Sequence, residues 1–586
     1  MAPVSRRSAR APSARAAKPA ANEAAPVALT NGTGAKRARA KQTEAPAVNG
    51  TAEKSAKSEV VPQGGRSKKA DAPAAAPKPA IKRKKSVETD DEDEPEPVAK
   101  KTKTKVAQPK VVKAKVVKPK VVKPKSVEPE DKKPQPKGPR RPGGRKTEIN
   151  EIRYTDPLKV FVFGEGGNGE LGLGAYKKAK DVKRPRFNEP LSNMNVVKIA
   201  TGGMHVVALT KDNKILTWGV NDNGALGRET PIATVTMKDA DADSDSDDDD
   251  ETGGLNDAEA TPTAISAEHF PPDTVFVDVA AGDSCSFALT TEGAVYGWGT
   301  FRKNEGVLGF TRGVNTARTP IYIEDVKKVT HISCGTNHVL ALDKDKHVYA
   351  WGNGQQNQLG RRVTERSLIE ALLPNRVGFH DKSVKRPSQK IAKITCGDYH
   401  SLAIGEDGHV WAWGANNYCE TGMLENAGEN TASVPAPQII HSLEDRHVVS
   451  VEGGSHHNVA ITADGECLVW GRCDGSQTGI PMSQLMNIDD ETKVLKSNDK
   501  PKILVEPTLI PNLENIVTVA CGPEHTIAIN KEGKAFSWGF STNYQTGQGT
   551  EEDIDVPTII DNTAVRDTKL IIAGAGGQYS VLASRK

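Results

Sequence analysis

From Val160 onward, short apolar runs alternate with polar, glycine-bearing breaks, and one pattern keeps returning. Its clearest copy is Val329 to Gly360, VTHISCGTNHVLALDKDKHVYAWGNGQQNQLG. Ile332 to Cys334, His338 to Leu342 and Val348 to Trp351 are apolar-rich, and Gly335, Asp343 to Asp345 and Gly352 to Gly354 punctuate them. Runs of that length between such breaks predict strand, turn, strand, turn, strand. Sister copies are IATGGMHVVALTKDNKILTWGVNDNGALG ending at Gly227, AAGDSCSFALTTEGAVYGWGTFRKNEGVLG ending at Gly309 and ITCGDYHSLAIGEDGHVWAWGANNYCETG ending at Gly422. Two more end at Gly479 and Gly547.

Aromatic-Gly pairs mark seven units: Phe163-Gly164, Trp218-Gly219, Trp298-Gly299, Trp351-Gly352, Trp413-Gly414, Trp470-Gly471 and Trp538-Gly539, spaced about 53 to 80 residues apart. The first unit lacks its front, and the chain ends with an unmatched half, LIIAGAGGQYSVLAS, from Leu570 to Ser584. Joined, the halves make one repeat. The expectation is an all-β, seven-bladed β-propeller over residues 151–586, closed by N- and C-terminal strands in one blade so that no sheet edge stays open at the seam.

The unit GxxH…AL…G.V..WG…N…G.LG resembles the family of the regulator of chromosome condensation, the guanine-nucleotide exchange factor for the small GTPase Ran, over about residues 155 to 586. WD-type propellers have repeats nearer 40 residues that close on Trp-Asp, and neither feature is present.

Composition divides the chain. Residues 1–150 carry about 37 Lys+Arg against about 16 Asp+Glu, roughly +21, and contain no Phe, Tyr or Trp; the remainder is roughly −17, which hides behind the overall +4. Such a segment cannot bury enough apolar surface to offset its ordering entropy and is expected to be a disordered basic tail. PKVVKAKVVKPKVVKPK, Pro109 to Lys125, spaces lysines with helix-blocking prolines, which suits weak, salt-sensitive, sequence-independent binding to DNA phosphates; a solvating tail is the plainer alternative. Lys82, Arg83, Lys84 and Lys85 read as a nuclear-import signal for an import receptor. The N-terminal MAPVSRRSARAPSARAAKPA imitates a mitochondrial presequence, but its prolines make a poor amphipathic helix. DADADSDSDDDDE, Asp239 to Glu251, is too charged to pack and predicts a disordered acidic insertion loop over 236–268, with Ser244 and Ser246 as plausible phosphorylation sites.

The seven cysteines form no CxxC pair, which points to a reducing compartment; Cys334, Cys396 and Cys521 share one repeat position suited to a small packed residue. No apolar run approaches 18 residues, so no membrane span is expected. The GxxH column holds His205, Cys285, His338, His400, His457 and His525. Histidines at a structural register hold turns, and around a ring they are too far apart to share a metal at about 2 Å, so neither metal nor cofactor is expected. Trp218, Trp298, Trp351, Trp413, Trp470 and Trp538 also keep one register, which packing explains and a light-sensing cluster would not.

Residues that break the register are the functional candidates. Blade three follows its Trp-Gly with an excursion in which Phe301, Arg302, Lys303, Asn304, Glu305, Gly306, Val307 and Leu308 replace a short Asn-Gly turn, and Phe301 and Val307 are expected to protrude. The family resemblance implies that this is a β-wedge pressed against the GTPase. It likewise carries exchange-sensitive roles to Asp283 in AGDS, Asn337 in CGTNH, where the family pattern has Asp, and His456 in GGSHH. Asp398 and Glu524 lie beside the same column. By resemblance, Arg361, Arg362, Arg366 and Arg376 in RRVTERSLIEALLPNR engage the acidic patch of histone H2A–H2B, and Lys382, Lys385, Arg386 and Lys390 touch DNA. Solvated surface is the plain alternative for these cations. The function implied is a monomeric, nuclear, chromatin-bound exchange factor with no bond chemistry; a non-catalytic propeller scaffold or chromatin reader is the alternative.

Overall fold

Seven inner strands line one central channel: Leu570–Ala575, Val196–Thr201, Phe276–Ala281, Val329–Cys334, Ile391–Cys396, Val448–Gly453 and Ile516–Cys521. Each heads an antiparallel blade of four strands, with a fifth in blade six. The computed structural model describes residues 147–231, 254–385 and 387–586. Second strands such as His338–Asp343 and His400–Gly405 are buried along their whole length, because sheets cover both of their faces. That is why the repeat reads there as a continuous apolar run rather than an alternating one.

Blade one is shared between the chain ends. Leu570–Ala575 and Tyr579–Arg585 supply its inner half, and Leu158–Glu165 and Asp181–Phe187 its outer half. The junction runs in unbroken antiparallel register from Leu158 opposite Arg585 to Gly164 opposite Tyr579. The seam is therefore sealed by backbone pairing, as the unmatched half-repeats predict.

Each motif residue has a physical task in joining blades. The Trp indole N–H reaches the loop of the preceding blade: Trp298 donates to Ala225 O at 2.8 Å, and Trp413 to Gln358 O at 2.9 Å. The glycine after Trp adopts positive φ, +112° at Gly352, where a Cβ would stand 2.6 Å from Asn337 O. In GxxH the glycine makes room for the ring, since a Cβ at Gly335 would lie 2.4 Å from His338 Cε1. Those rings then cross the seams: His205 Nε2 to Ser286 at 2.7 Å, His338 to Ser401 at 2.9 Å, His457 to Thr526 at 2.9 Å and His525 to Ser580 at 2.9 Å.

The seam between blades three and four is built differently. Cys285 stands in the histidine column, and Phe287 meets Trp351 of blade four edge-on at 5.8 Å. Phe301 and Phe310 stack with Phe287, at 6.3 and 5.8 Å, and with each other at 5.6 Å. The polar belt gives way to an aromatic stack where the wedge departs.

Two expected boundaries shift. Ile149 and Asn150, assigned to the basic tail, pack on the propeller: both backbone N–H groups donate to Thr291 O, Asn150 is 6% exposed, and its amide donates to Thr290 O at 2.9 Å and Val329 O at 2.8 Å. Within the insertion expected over 236–268, residues 254–268 are structured. Asn256 caps a short helix, Asp257–Ala260, and Thr263–Ala264 is the outer strand of blade two. A capped turn and strand pairing give that polar stretch backbone partners its composition did not advertise. The rest of the tail, with Lys82 to Lys85, and the acidic run Asp239 to Glu251 lie outside the described residues.

Candidate functional site

The turns between inner and second strands all emerge on one face, here the upper face, because every inner strand runs the same way. Neighbouring turns are stitched by backbone bonds: Gly203 N to Gly282 O at 3.1 Å, Asp283 N to Thr336 O at 3.0 Å, Asp398 N to Gly454 O at 3.0 Å and Ser455 N to Pro523 O at 3.1 Å. They surround the mouth of a cavity of about 660 Å³ that Asp283, Asp398, Glu524 and the three repeat-register cysteines help to line. Cys334, Cys396 and Cys521 pack with the core clusters between blades, as a small residue at that repeat position predicts, and also border the channel.

Asp283, Asn337 and His456 all stand on this upper rim, in the turns of blades three, four and six. Burial raises the Asp283 carboxyl above its ordinary value, and its neighbours Ser284 and Arg302 pull it back. Asp398 accepts a hydrogen bond from the Ser455 hydroxyl in the next blade. Glu524 pairs with Arg472 at 3.0 Å. His456 lies between Tyr399 and Tyr418, with ring centroids at 5.7 and 4.6 Å, and its Nδ1 meets Glu420 Oε1 at 2.7 Å.

The wedge rises from the same rim as a hairpin, Phe301–Lys303 paired with Gly306–Gly309. Val307 is 46% exposed, as anticipated for a protruding tip. Phe301 is not: it is fully buried in the Phe287–Phe310 stack, so it roots the hairpin instead of projecting from it. Leu308 is buried too, while Arg302, Asn304 and Glu305 are exposed and Lys303 pairs with Glu305 at 3.1 Å. Gly306 turns the hairpin at φ +116° in open space. Arg302 reaches back to Asp283 at 4.0 Å, and its backbone N–H donates to Asn337 Oδ1 at 2.7 Å.

The arginine loop divides by role. Arg361 is half-buried, donating to Ala350 O at 3.0 Å and Leu373 O at 3.4 Å, and burial lowers its guanidinium to about 10. It fastens the loop to its own blade and is not the solvent-facing cation expected from the sequence. Arg362, Arg366 and Arg376 are exposed. The loop packs Leu368 and Leu372 into the core beneath the wedge, and Glu370 pairs with Arg312. Lys382, Lys385 and Lys390 are exposed on the connection from blade four to blade five. That connection lies on the lower face, where Ser388 N meets Asp407 in a second-to-third-strand turn at 3.1 Å. Arg386 lies outside the described residues.

Glu420, Gln355, Tyr399, Tyr418 and Arg472 escaped selection from the sequence. A columnwise comparison of the N…G.LG loops sets Glu420 apart together with Glu170 of blade one, since Gln358, Gln477 and Gln545 hold the position in blades four, six and seven. The tyrosines and Gln355 carry no such sign, because what distinguishes them is contact across a seam. Among the described residues no group of three or more His, Cys, Asp or Glu is arranged to hold a metal, and no helix is long and apolar enough to cross a membrane.

Fold and rim together define a seven-bladed propeller with a protruding hairpin beside a polar channel mouth. Residues 159–582 match the model of the RCC1-like domain, and the chain belongs to that family. It is 39% identical over 435 residues to "Guanine nucleotide exchange factor SRM1" of Saccharomyces cerevisiae, covering 72% of this chain and 87% of the relative. The crystal structure of Prp20p from Saccharomyces cerevisiae, described with its binding properties to Gsp1p and histones, superposes with a TM-score of 0.65 at 36% identity, over 74% of this chain and 93% of that one. Yeast RCC1 (Prp20) bound to Kap60 gives a TM-score of 0.66 at 33% identity, over 78% and 96%.

Proposed function

We propose that this chain is a guanine-nucleotide exchange factor for a Ran-like small GTPase, acting in the nucleus while bound to chromatin. The observation that carries this function is the rooted hairpin at the blade three–four seam, set on one rim with Asp283, Asn337 and His456, in a chain of this family. Similarity to SRM1 and to Prp20p supports the activity, and the Gsp1p, histone and Kap60 binding of those relatives supports a GTPase, a histone dimer and an import receptor as partners.

Exchange makes and breaks no covalent bond. A GTPase holds its nucleotide through the amides of a phosphate-cradling loop, a lysine and Mg²⁺. Release is accelerated by a surface that binds the nucleotide-free form better than the loaded one. Each tenfold gain needs about 1.4 kcal/mol of that preference, so a 10⁵-fold effect needs about 7 kcal/mol. An inserted wedge with one exposed apolar tip and a polar rim of several blades can supply such a difference. Arg362, Arg366 and Arg376 beside the wedge are assigned to the histone dimer, Lys382, Lys385 and Arg386 to DNA, and Lys82 to Lys85 to the import receptor.

The test is complex formation with a Ran-like GTPase from which nucleotide has been stripped. A complex that forms without nucleotide and dissolves on adding GDP or GTP supports exchange. A complex indifferent to nucleotide would instead make the propeller a scaffold.

A further inference from the structure

We infer that Asn337 and Gln355 act on exchange through the wedge, as a two-point clamp that fixes its angle to the rim, and not by touching the GTPase. The inference rests on the exchange-factor function proposed above and adds Gln355 as a positioning residue.

A two-stranded hairpin is marginal on its own, and this one is short. Its root is held by Phe301, but a buried ring at one end leaves a lever free to swing. Beyond the root, two backbone N–H groups of the first wedge strand and its turn find side-chain acceptors on blade four: Arg302 N donates to Asn337 Oδ1 at 2.7 Å, and Asn304 N to Gln355 Oε1 at 3.1 Å. Residues 302 and 304 alternate along the chain, so both donors face the same edge. Two amide side chains thus take the place of a third strand.

Both acceptors are themselves held. Asn353 N donates to the Asn337 carbonyl at 2.7 Å, and Gln355 N donates to Asn353 Oδ1 at 2.9 Å. The Arg302–Asp283 contact, at 4.0 Å between half-exposed groups, is weak beside them. Val307, opposite Arg302 in the second wedge strand just past the turn, keeps its side chain exposed. A clamp of this kind asks of residue 337 only an acceptor oxygen, which explains how Asn serves where the family pattern has Asp.

The test uses the full chain and has two readouts. In the free protein, amide hydrogen exchange at residues 302–304 is expected to speed up at least about tenfold in N337L or Q355M, which lose the acceptor, while N337D and Q355E, which keep it, retain protection. With a Ran-like GTPase carrying fluorescent GDP, N337L and Q355M are expected to lower kcat about tenfold with KM little changed, and N337D and Q355E to restore release. Combined with V307A, N337L is expected to cost less than it does alone, since both act through the tip. Unaltered amide exchange in N337L and Q355M, an N337D as damaging as N337L, or full additivity with V307A overturns the clamp. Failure of the unsubstituted chain to accelerate release at all refutes the exchange function and leaves the amide-exchange result to judge the clamp separately.

Discussion

Glu420 and His456 belong to neighbouring blades, and the Glu420 Oε1 lies 2.7 Å from the His456 Nδ1 although the Glu420 side chain has no exposed surface. Its second oxygen accepts the Tyr418 N–H at 2.8 Å. Gln358, Gln477 and Gln545 make that same turn bond in other blades, at 3.0, 2.9 and 2.9 Å. Glutamine is therefore tolerated here, but its amide would offer His456 a donor in place of an acceptor. Glu420→Gln should lower nucleotide release about tenfold, some 1.4 kcal/mol, with stability changed by less than about 1 kcal/mol. A fall in thermal stability without a fall in release would make the pair purely structural.

Phe301 and Val307 should separate cleanly. Phe301→Ala empties the three-ring stack and is expected to cost about 3–5 kcal/mol of stability. Val307→Asp places a charge on an exposed tip and should leave denaturant unfolding within about 0.5 kcal/mol of the parent while reducing nucleotide release. Equal destabilisation by both would contradict the root-and-tip division.

The repeat, the blade count and the closing blade were all legible, because turn glycines, strand length and the aromatic-Gly pairs recur in fixed order and a ring must use every half-unit. The shared rim of Asp283, Asn337 and His456 followed from one repeat column emerging on one face. Burial of Phe301 was not legible: an extra aromatic after Trp298-Gly299 points either way until Phe287 and Phe310 are seen to leave room for it. Arg361 misled for the complementary reason, since its carbonyl acceptors Ala350 and Leu373 carry no sequence signature. Glu420 and Gln355 matter through neighbours on other blades or on the wedge, and such contacts depend on three-dimensional closure.

The buried column makes stability depend on pH. Burial lowers His205 and His525 to about 4 and His338 and His457 to about 3, from an ordinary value of 6.5. Below pH 6.5 the unfolded chain protonates these rings while the folded chain leaves them neutral, so their contribution is full above 6.5 and falls as pH drops toward 3–4. Each ring should cost about 2 kcal/mol of stability between pH 7 and pH 5. Denaturant unfolding at those two pH values checks this, and equal stabilities would contradict it.

Arg361 and its neighbours should behave differently. Arg361→Ala removes a half-buried guanidinium and leaves the Ala350 and Leu373 carbonyls without that donor, and is expected to cost about 1–3 kcal/mol of stability. Arg362→Ala and Arg366→Ala should stay within about 0.5 kcal/mol and weaken histone-dimer binding. A binding loss confined to Arg361→Ala would contradict that assignment.

The most direct measurement is release of labelled GDP from a panel of small GTPases by substoichiometric amounts of the full chain. The account predicts acceleration by several powers of ten on the Ran-like member and little on the others. Acceleration on none of them would contradict it.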